Sequence, residues 1–365
     1  MSNEIDKADE IDKTDESNET DKNGNERLDL LINAAINLSN AGETEEAIAV
    51  LNKSILLNPK YSQTYVALGL IFQGQGKLKD ALKLFKKALK IDALNEKALL
   101  SIGLFMFSSG KKTEGINWLK KYLANTEWSD LENLKLLINT LVEMERDTEA
   151  IEELDYAYYL TASQEIGLAY ARLLSNNGKF SGADLVYGQI TKSFDKPQLY
   201  YEHSEVCLKL KNYEKARLSL QKAIKKAEEF DSSENRKDWY TDDGESYSNL
   251  LGEYYTYLAL IYYFQKWANG ILYALEGADQ YLDYEHTPDT YLFTKSWALL
   301  KLERYKEAAN SAQAGIDRLD SNSEYLRTDL YKIKLEALEQ LEEFEEIGFL
   351  MLEMKEKFPS MFETS

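Results

Sequence analysis

The stretch Tyr65-Val-Ala-Leu68-Gly69-Leu-Ile-Phe72, with Gly76 after it and then Ala81-Leu-Lys-Leu-Phe85-Lys-Lys-Ala88, decides the fold. Apolar residues recur three and four apart on each side of Gly76, which is the spacing of one helical face. Two helices joined by a short turn follow from that spacing. The small residues Gly69, Ala81 and Ala88 sit where two such helices cross closely, and Tyr65, Leu68, Phe72 and Phe85 fill the spaces between. The pattern returns at a fixed interval. Ile55-Leu-Leu-Asn-Pro59 is followed 34 residues later by Leu89-Lys-Ile-Asp-Ala93. Ala47 is followed likewise by Ala81, Leu51 by Phe85, Ser54 by Ala88, and Ala35 by Gly69 and Gly103. One helix pair cannot bury both its faces, so a period of this size predicts stacked pairs.

These residues resemble the tetratricopeptide repeat, a unit of two antiparallel helices. With the small residue of the second helix as a register mark, repeats start near Leu28, Ser62, Glu96, Leu131, Gln164, Pro197, Leu251, Asp289 and Thr328. The marks are Ala47, Ala81, Gly115, Ala150, Ala183, Ala216, Gly270, Ala308 and Ile347, at intervals of 34, 34, 35, 33, 33, 54, 38 and 39. The resemblance is sharpest in the second repeat, in Asn212-Tyr-Glu-Lys-Ala216 and in Arg304-Tyr-Lys-Glu-Ala308, and loosest in the fourth, seventh and last. It implies an all-α chain, a right-handed α-solenoid of about nine helix pairs. Proline tests the frame independently, because one inside a helix costs about 3 kcal/mol. Pro59, Pro197, Pro288 and Pro359 all fall at expected junctions.

Residues 1–27 repeat an acidic hexamer, Glu4-Ile-Asp-Lys-Ala-Asp9 and its copies, and hold ten acids against four bases. Two isoleucines cannot offset the entropy of ordering such a segment, so a disordered acidic tail is expected, either a solubilising extension or a docking tail for a basic partner. Repeats one to six then occupy 28–230, an acidic insertion 231–249, and repeats seven to nine 250–361, as one continuous array. The insertion reads as a surface loop or a hinge.

The whole chain has 365 residues and a formal net charge of −20, which disfavours nucleic acid as a partner. No apolar run is long enough to cross a membrane. A single cysteine permits no internal disulfide, and a cytoplasmic location is expected. Candidate chemistry is sparse. Asp242-Asp-Gly244-Glu would put Trp239 and Leu250 where a calcium loop needs carboxylates. Ser109-Gly-Lys-Lys112 lacks the upstream glycine of a phosphate loop. Cys207 reads as a core thiol; His203, one helical turn before it, shares its face, but no third group is visible to orient the pair. His286 has no evident partner. Neither catalysis, a cofactor nor a metal site is expected.

Between Trp239 and Trp297 lie 16 aromatic residues in 59, where an even spread would give about seven. They read either as packing or as an adhesive surface. The resemblance further implies that the first helix of each pair lines a concave groove through its second, fifth, ninth and twelfth positions. Those residues are Ile32, Ile36, Val66, Leu70, Leu100, Leu104 and Phe107 in the first three repeats. The middle repeats give Lys135, Asn139, Arg172, Tyr201, Glu205 and Leu208, and the later ones Tyr255, Tyr262, Phe293 and Trp297. The chaperone-tail clamp of this family needs a further asparagine and two bases after Lys135 and Asn139, where Ala169, Gln198 and Glu202 stand, so that subclass is excluded. A non-catalytic scaffold that binds protein or peptide segments is the expected function, with a self-associating homo-oligomer as the alternative.

Overall fold

The computed structural model describes residues 25–231, 247–282, 288–318 and 324–358. The acidic tail before residue 25, Trp239, the Asp242-to-Glu245 motif, His286 and Pro359 lie outside the described residues, as does most of the expected insertion. Among the described residues all regular structure is helical, in nine antiparallel pairs. They fall into two compact units divided after Ile166.

The first unit holds α1 (25–40), α2 (Thr44–Leu57), α3 (Ser62–Gly74), α4 (Leu78–Ile91), α5 (Glu96–Ser108), α6 (Lys112–Asn125), α7 (Leu131–Glu143) and α8 (Asp147–Thr161). The division falls just inside α9 (Gln164–Asn176), which opens the second unit. There follow α10 (Phe180–Ile190), α11 (Pro197–Lys209), α12 (Tyr213–Asp231), α13 (Tyr247–Phe264), α14 (Ala268–Ala278), α15 (Asp289–Lys301), α16 (Tyr305–Arg318), α17 (Glu324–Gln340) and α18 (Phe344–Lys357). Six of the nine first helices begin at the residue that the spacing marks. The other three start early: α1 reaches back into the stretch read as tail, α13 begins four residues before Leu251, and α17 four before Thr328.

Each pair closes through the same turn. Three residues separate the two helices of every pair, and the middle one has a left-handed backbone: Gly42, Gly76, Gly110, Glu145, Gly178, Lys211, Lys266, Glu303 and Glu342. The amide of the next residue donates back to a carbonyl five positions earlier, as Lys77 does to Phe72 at 2.8 Å and Asn212 to Cys207 at 2.9 Å. This bond satisfies one orphan carbonyl of the first helix, and the left-handed residue makes it reachable. Only glycine adopts that conformation without crowding its own Cβ.

The register marks lie where the helices meet. Ala47, Ala81, Gly115, Ala150, Ala183, Ala216, Gly270 and Ala308 are all buried, whereas Ile347 of the last pair is half-buried. The crossings leave no room for more. A Cβ on Gly69 would stand 2.6 Å from the Phe85 ring, and one on Gly115 would stand 3.0 Å from Phe107. Small and large thus alternate between the two helices of a pair. In the first unit, one core forms around Ala35, Leu51 and Leu68 and the next around Tyr65, Phe85 and Ile102, with Ile55, Phe72 and Leu84 packed against both.

In the second unit the aromatic-rich segment is mostly packing. Tyr254, Tyr262 and Tyr291 are buried. Tyr201 stacks on Tyr254 at 4.9 Å, and Tyr263 meets Phe293 and Trp297 edge-on at 5.2 and 5.0 Å. Phe264, Trp267 and Tyr273 are exposed.

Two predictions arise from this architecture. Glu303 is exposed and left-handed, so Glu303→Gly relieves a conformational cost of roughly 1 kcal/mol, less the extra freedom it gives the unfolded chain. A rise in the urea midpoint is expected, against a fall for Gly76→Ala; a lower midpoint for Glu303→Gly would contradict the turn analysis. The second concerns pH. Burial, then a hydrogen bond to a carboxylate, pushes the Tyr61 and Tyr122 hydroxyls up to about 12 from an ordinary 10. Burial also raises those of Tyr187, Tyr201 and Tyr257. The folded state holds these protons longer than the unfolded one, so their contribution is complete below pH 10 and falls above it; that of Tyr61 and Tyr122 is lost as pH climbs from about 10 to 12. The denaturant midpoint should drop across that window, and a flat profile would contradict the assignment.

Candidate functional site

On α1, α3 and α5 the residues at the expected groove positions separate by depth. Those at the fifth position wedge between neighbouring first helices: Ile32 and Val66 are buried, and Leu100 is half-buried. Those at the ninth position stand clear of the wedge, with Ile36 39%, Leu70 44% and Leu104 39% exposed. A helix advances about 100° per residue, so a side chain four positions on leans to the solvent side of the one before. Phe107, at the twelfth position, is half-buried against Gly115.

Two adjoining cavities follow. One of about 570 Å³ is lined by Ile32, Asn33, Ile36, Val66 and Leu70 and, at one end, by Asp29, Tyr61, Asp92, Asn95, Glu96 and Lys97. The other, of about 410 Å³, continues past Ile36 and Leu70 to Asn40, Gly74 and Gln75. Ile36, Ala67 and Leu70 belong to both and form the waist of one groove.

The polar end is braced. Tyr61 donates to Asp29 Oδ1 at 2.7 Å. Asn95, itself buried, accepts from the Ala98 amide at 3.0 Å and so caps α5. Its Nδ2 donates to Ser62 Oγ at 3.1 Å and to Gln63 Oε1 at 3.3 Å, fixing the α5 N-terminus to the start of α3. Three carboxylates, Asp29, Asp92 and Glu96, face one ammonium, Lys97. The groove therefore pairs an apolar floor with a mainly acidic end.

The remaining expected groove residues do not share one role. Lys135 and Asn139 are exposed on α7, and Lys135 pairs with Glu132 at 3.0 Å. Arg172 is exposed but engaged: its Nε and Nη2 both donate to Glu202, at 2.9 and 2.6 Å, and Tyr187 donates to the same carboxylate at 2.8 Å. Tyr201, Glu205 and Leu208 are half-buried. Tyr255 is half-buried, stacked on Tyr281 and donating to Glu228 at 2.6 Å. Tyr262 and Phe293 are buried, and Trp297 is half-buried against Tyr263. An exposed role is thus corrected for Ile32, Val66, Tyr262 and Phe293. The first two still line the groove wall; Tyr262 is covered by Trp267 at 4.7 Å, and Phe293 by Tyr263.

A second correction concerns Cys207 and His203, for which a third group does exist. Asp184 on α10 places Oδ1 2.7 Å from His203 Nε2 and 3.5 Å from Cys207 Sγ, and Lys215 Nζ reaches the same oxygen at 2.5 Å. Burial would raise the Asp184 carboxyl, but the hydrogen bonds from Lys215 and His203 hold it below its ordinary range. Burial, and then the Asp184 charge, pushes the Cys207 thiol up to about 12. A fully buried thiol in that state is a poor nucleophile. No sequence spacing links Asp184 to the pair; its place directly after the register mark Ala183 was the one available signal.

Family models described as tetratricopeptide repeat match residues 32–96, 66–127 and 197–229. No curated protein sequence matches the chain. Among solved structures, it is similar to the C-terminal part of a TPR repeat-containing protein from Cytophaga hutchinsonii, at 13% identity over 70% of this chain and 97% of that one, with a TM-score of 0.46. It is also similar to YrrB, a TPR protein with an unusual peptide-binding site, at 22% identity over 48% and 91% with a TM-score of 0.36. PilF of Pseudomonas aeruginosa matches at 19% identity over 55% and 92%, also with a TM-score of 0.36. Residues 32–127 and 197–229 are thus tetratricopeptide repeats, and the helix pairs between and beyond them have the same paired helices and three-residue turns.

Proposed function

We propose that the chain is a non-catalytic interaction scaffold whose first three helix pairs hold an apolar segment of another protein in the groove of α1, α3 and α5. The observation that carries this reading is the shared waist of the two cavities, where Ile36 and Leu70 present apolar surface to solvent. Contiguous exposed apolar surface in a concave site favours an amphipathic helix or an extended hydrophobic peptide. The acidic end favours a basic residue at one end of that segment. The net charge of −20 argues for a protein partner over nucleic acid, and the lone buried cysteine suits a reducing, cytoplasmic setting.

The double change Leu70→Glu with Leu104→Glu tests the groove. Both side chains are exposed, so helicity and melting should hold within about 0.5 kcal/mol. Capture of partners from an extract should fall at least about tenfold, since burying an unpaired carboxylate is costly. A folded variant that keeps its partners would place the binding site elsewhere.

Self-association through the ends is the second reading, and α18 favours it. Phe344, Phe349 and Leu352 are all at least two-thirds exposed there: 74%, 67% and 68%. Light scattering at two concentrations separates the readings. A mass that rises with concentration would support the oligomer, and a constant monomer mass would remove it.

A further inference from the structure

We propose that Asp184, His203 and Cys207 form a binding site for a borderline-soft divalent cation, with zinc the ion whose coordination chemistry fits best. His203 and Cys207 stand four apart on α11, so both side chains lie on one face of that helix. Asp184 meets them from α10, and the three ligand atoms lie within 4.8 Å of one another. Among the described residues this is the one group of its kind.

Tetrahedral zinc has ligand bonds of roughly 2.0–2.3 Å, which sets its ligand atoms roughly 3.3–3.7 Å apart. The Asp184 Oδ1 to Cys207 Sγ distance of 3.5 Å already meets that spacing. The 2.7 Å separation of Asp184 Oδ1 and His203 Nε2 must widen. Asp184 can supply the change, because it alone of the three is partly open to solvent. One imidazole, one thiolate and one carboxylate suit zinc or cobalt over the hard ions magnesium and calcium.

The surroundings match a ligand set as well. Ser219 Oγ lies 3.2 Å from His203 Nδ1, placed to accept that N–H and leave the Nε2 lone pair for the metal. Tyr187 stacks on the imidazole at 5.8 Å and holds its plane. Lys215 is the resident cation. Its ammonium sits on Asp184 Oδ1, yet its side chain is 42% exposed and free to turn into solvent. A metal would take its place, and the vacated side would admit a water as fourth ligand. Charge balances in both states. Aspartate and ammonium neutralise each other without metal; with it, aspartate and thiolate neutralise the dication, and the thiol proton passes to solvent.

The test is a Co²⁺ titration of the full-length, metal-free chain. The chain has one cysteine, so a thiolate-to-cobalt charge-transfer band in the near ultraviolet reports on Cys207 alone. One equivalent of cobalt should produce that band, and one equivalent of zinc should abolish it. Cys207→Ser should lose it, and His203→Gln should bind at least about tenfold more weakly, no less than the loss of an outer-shell partner costs. Lys215→Met removes the competing ammonium and should bind cobalt about tenfold more tightly; it also keeps the test decisive should either ligand variant fail to fold. Absence of the band in the wild-type chain would overturn the proposal, as would unchanged or weaker binding by Lys215→Met.

Discussion

Everything in this structure depends on how closely two helices can approach at one residue per pair. Alanine or glycine occupies that place in eight pairs, and all eight residues are buried. A methyl group or less at the crossing lets the partner helix bring a large side chain, such as Phe107 over Gly115, across the axis. Interiors pack at crystal-like density, so the spacing of one pair fixes where the next can sit. The groove descends from the same constraint: α1, α3 and α5 lie near enough for Ile32 and Val66 to fill the seams, and Ile36 and Leu70 are left outside them. The ninth pair carries Ile347 at the mark, where it is only half-buried.

The helix pairs were legible in the sequence because a helix start, a small crossing residue and a turn recur at nearly constant spacing, as at Ser62, Ala81 and Gly76. Local signals of that kind survive without tertiary information. Depth did not. Val66 and Leu70 are both apolar and four apart on α3, and nothing in their identity shows that one is a wedge and the other a surface. Tyr262 was assigned to the groove by position alone; Trp267, five residues on, folds back over it. Asp184 is 19 residues from His203 on a different helix, and only the packing of α10 on α11 makes them neighbours.

The chemistry of the hydroxyls explains two features of composition together. The chain has 63 acids for 43 bases, and 25 tyrosines. Tyr61, Tyr122, Tyr187, Tyr255, Tyr291 and Tyr331 each donate to a carboxylate: Asp29, Asp130, Glu202, Glu228, Asp279 and Glu353. A phenol lends a carboxylate a donor without a compensating charge, and its ring fills core volume at the same time. Four of these acids, Asp130, Glu202, Glu228 and Glu353, are half-buried, and each is thereby satisfied in a protein short of lysine and arginine.

The constant turn has a consequence for how such a chain can grow. The link inside a pair is always three residues with the middle one left-handed, whereas the fully described links between pairs run from two residues at 162–163 to six at 191–196. Length changes are therefore absorbed between pairs and never within them. A duplication or exchange with both breakpoints in links such as 58–61 and 92–95 moves one whole pair and leaves every crossing in phase. A breakpoint inside a turn would rotate α4 about its own axis, by about 100° for each residue gained, and carry Phe85 away from Gly69. The pair, not the helix, is the unit that can be copied.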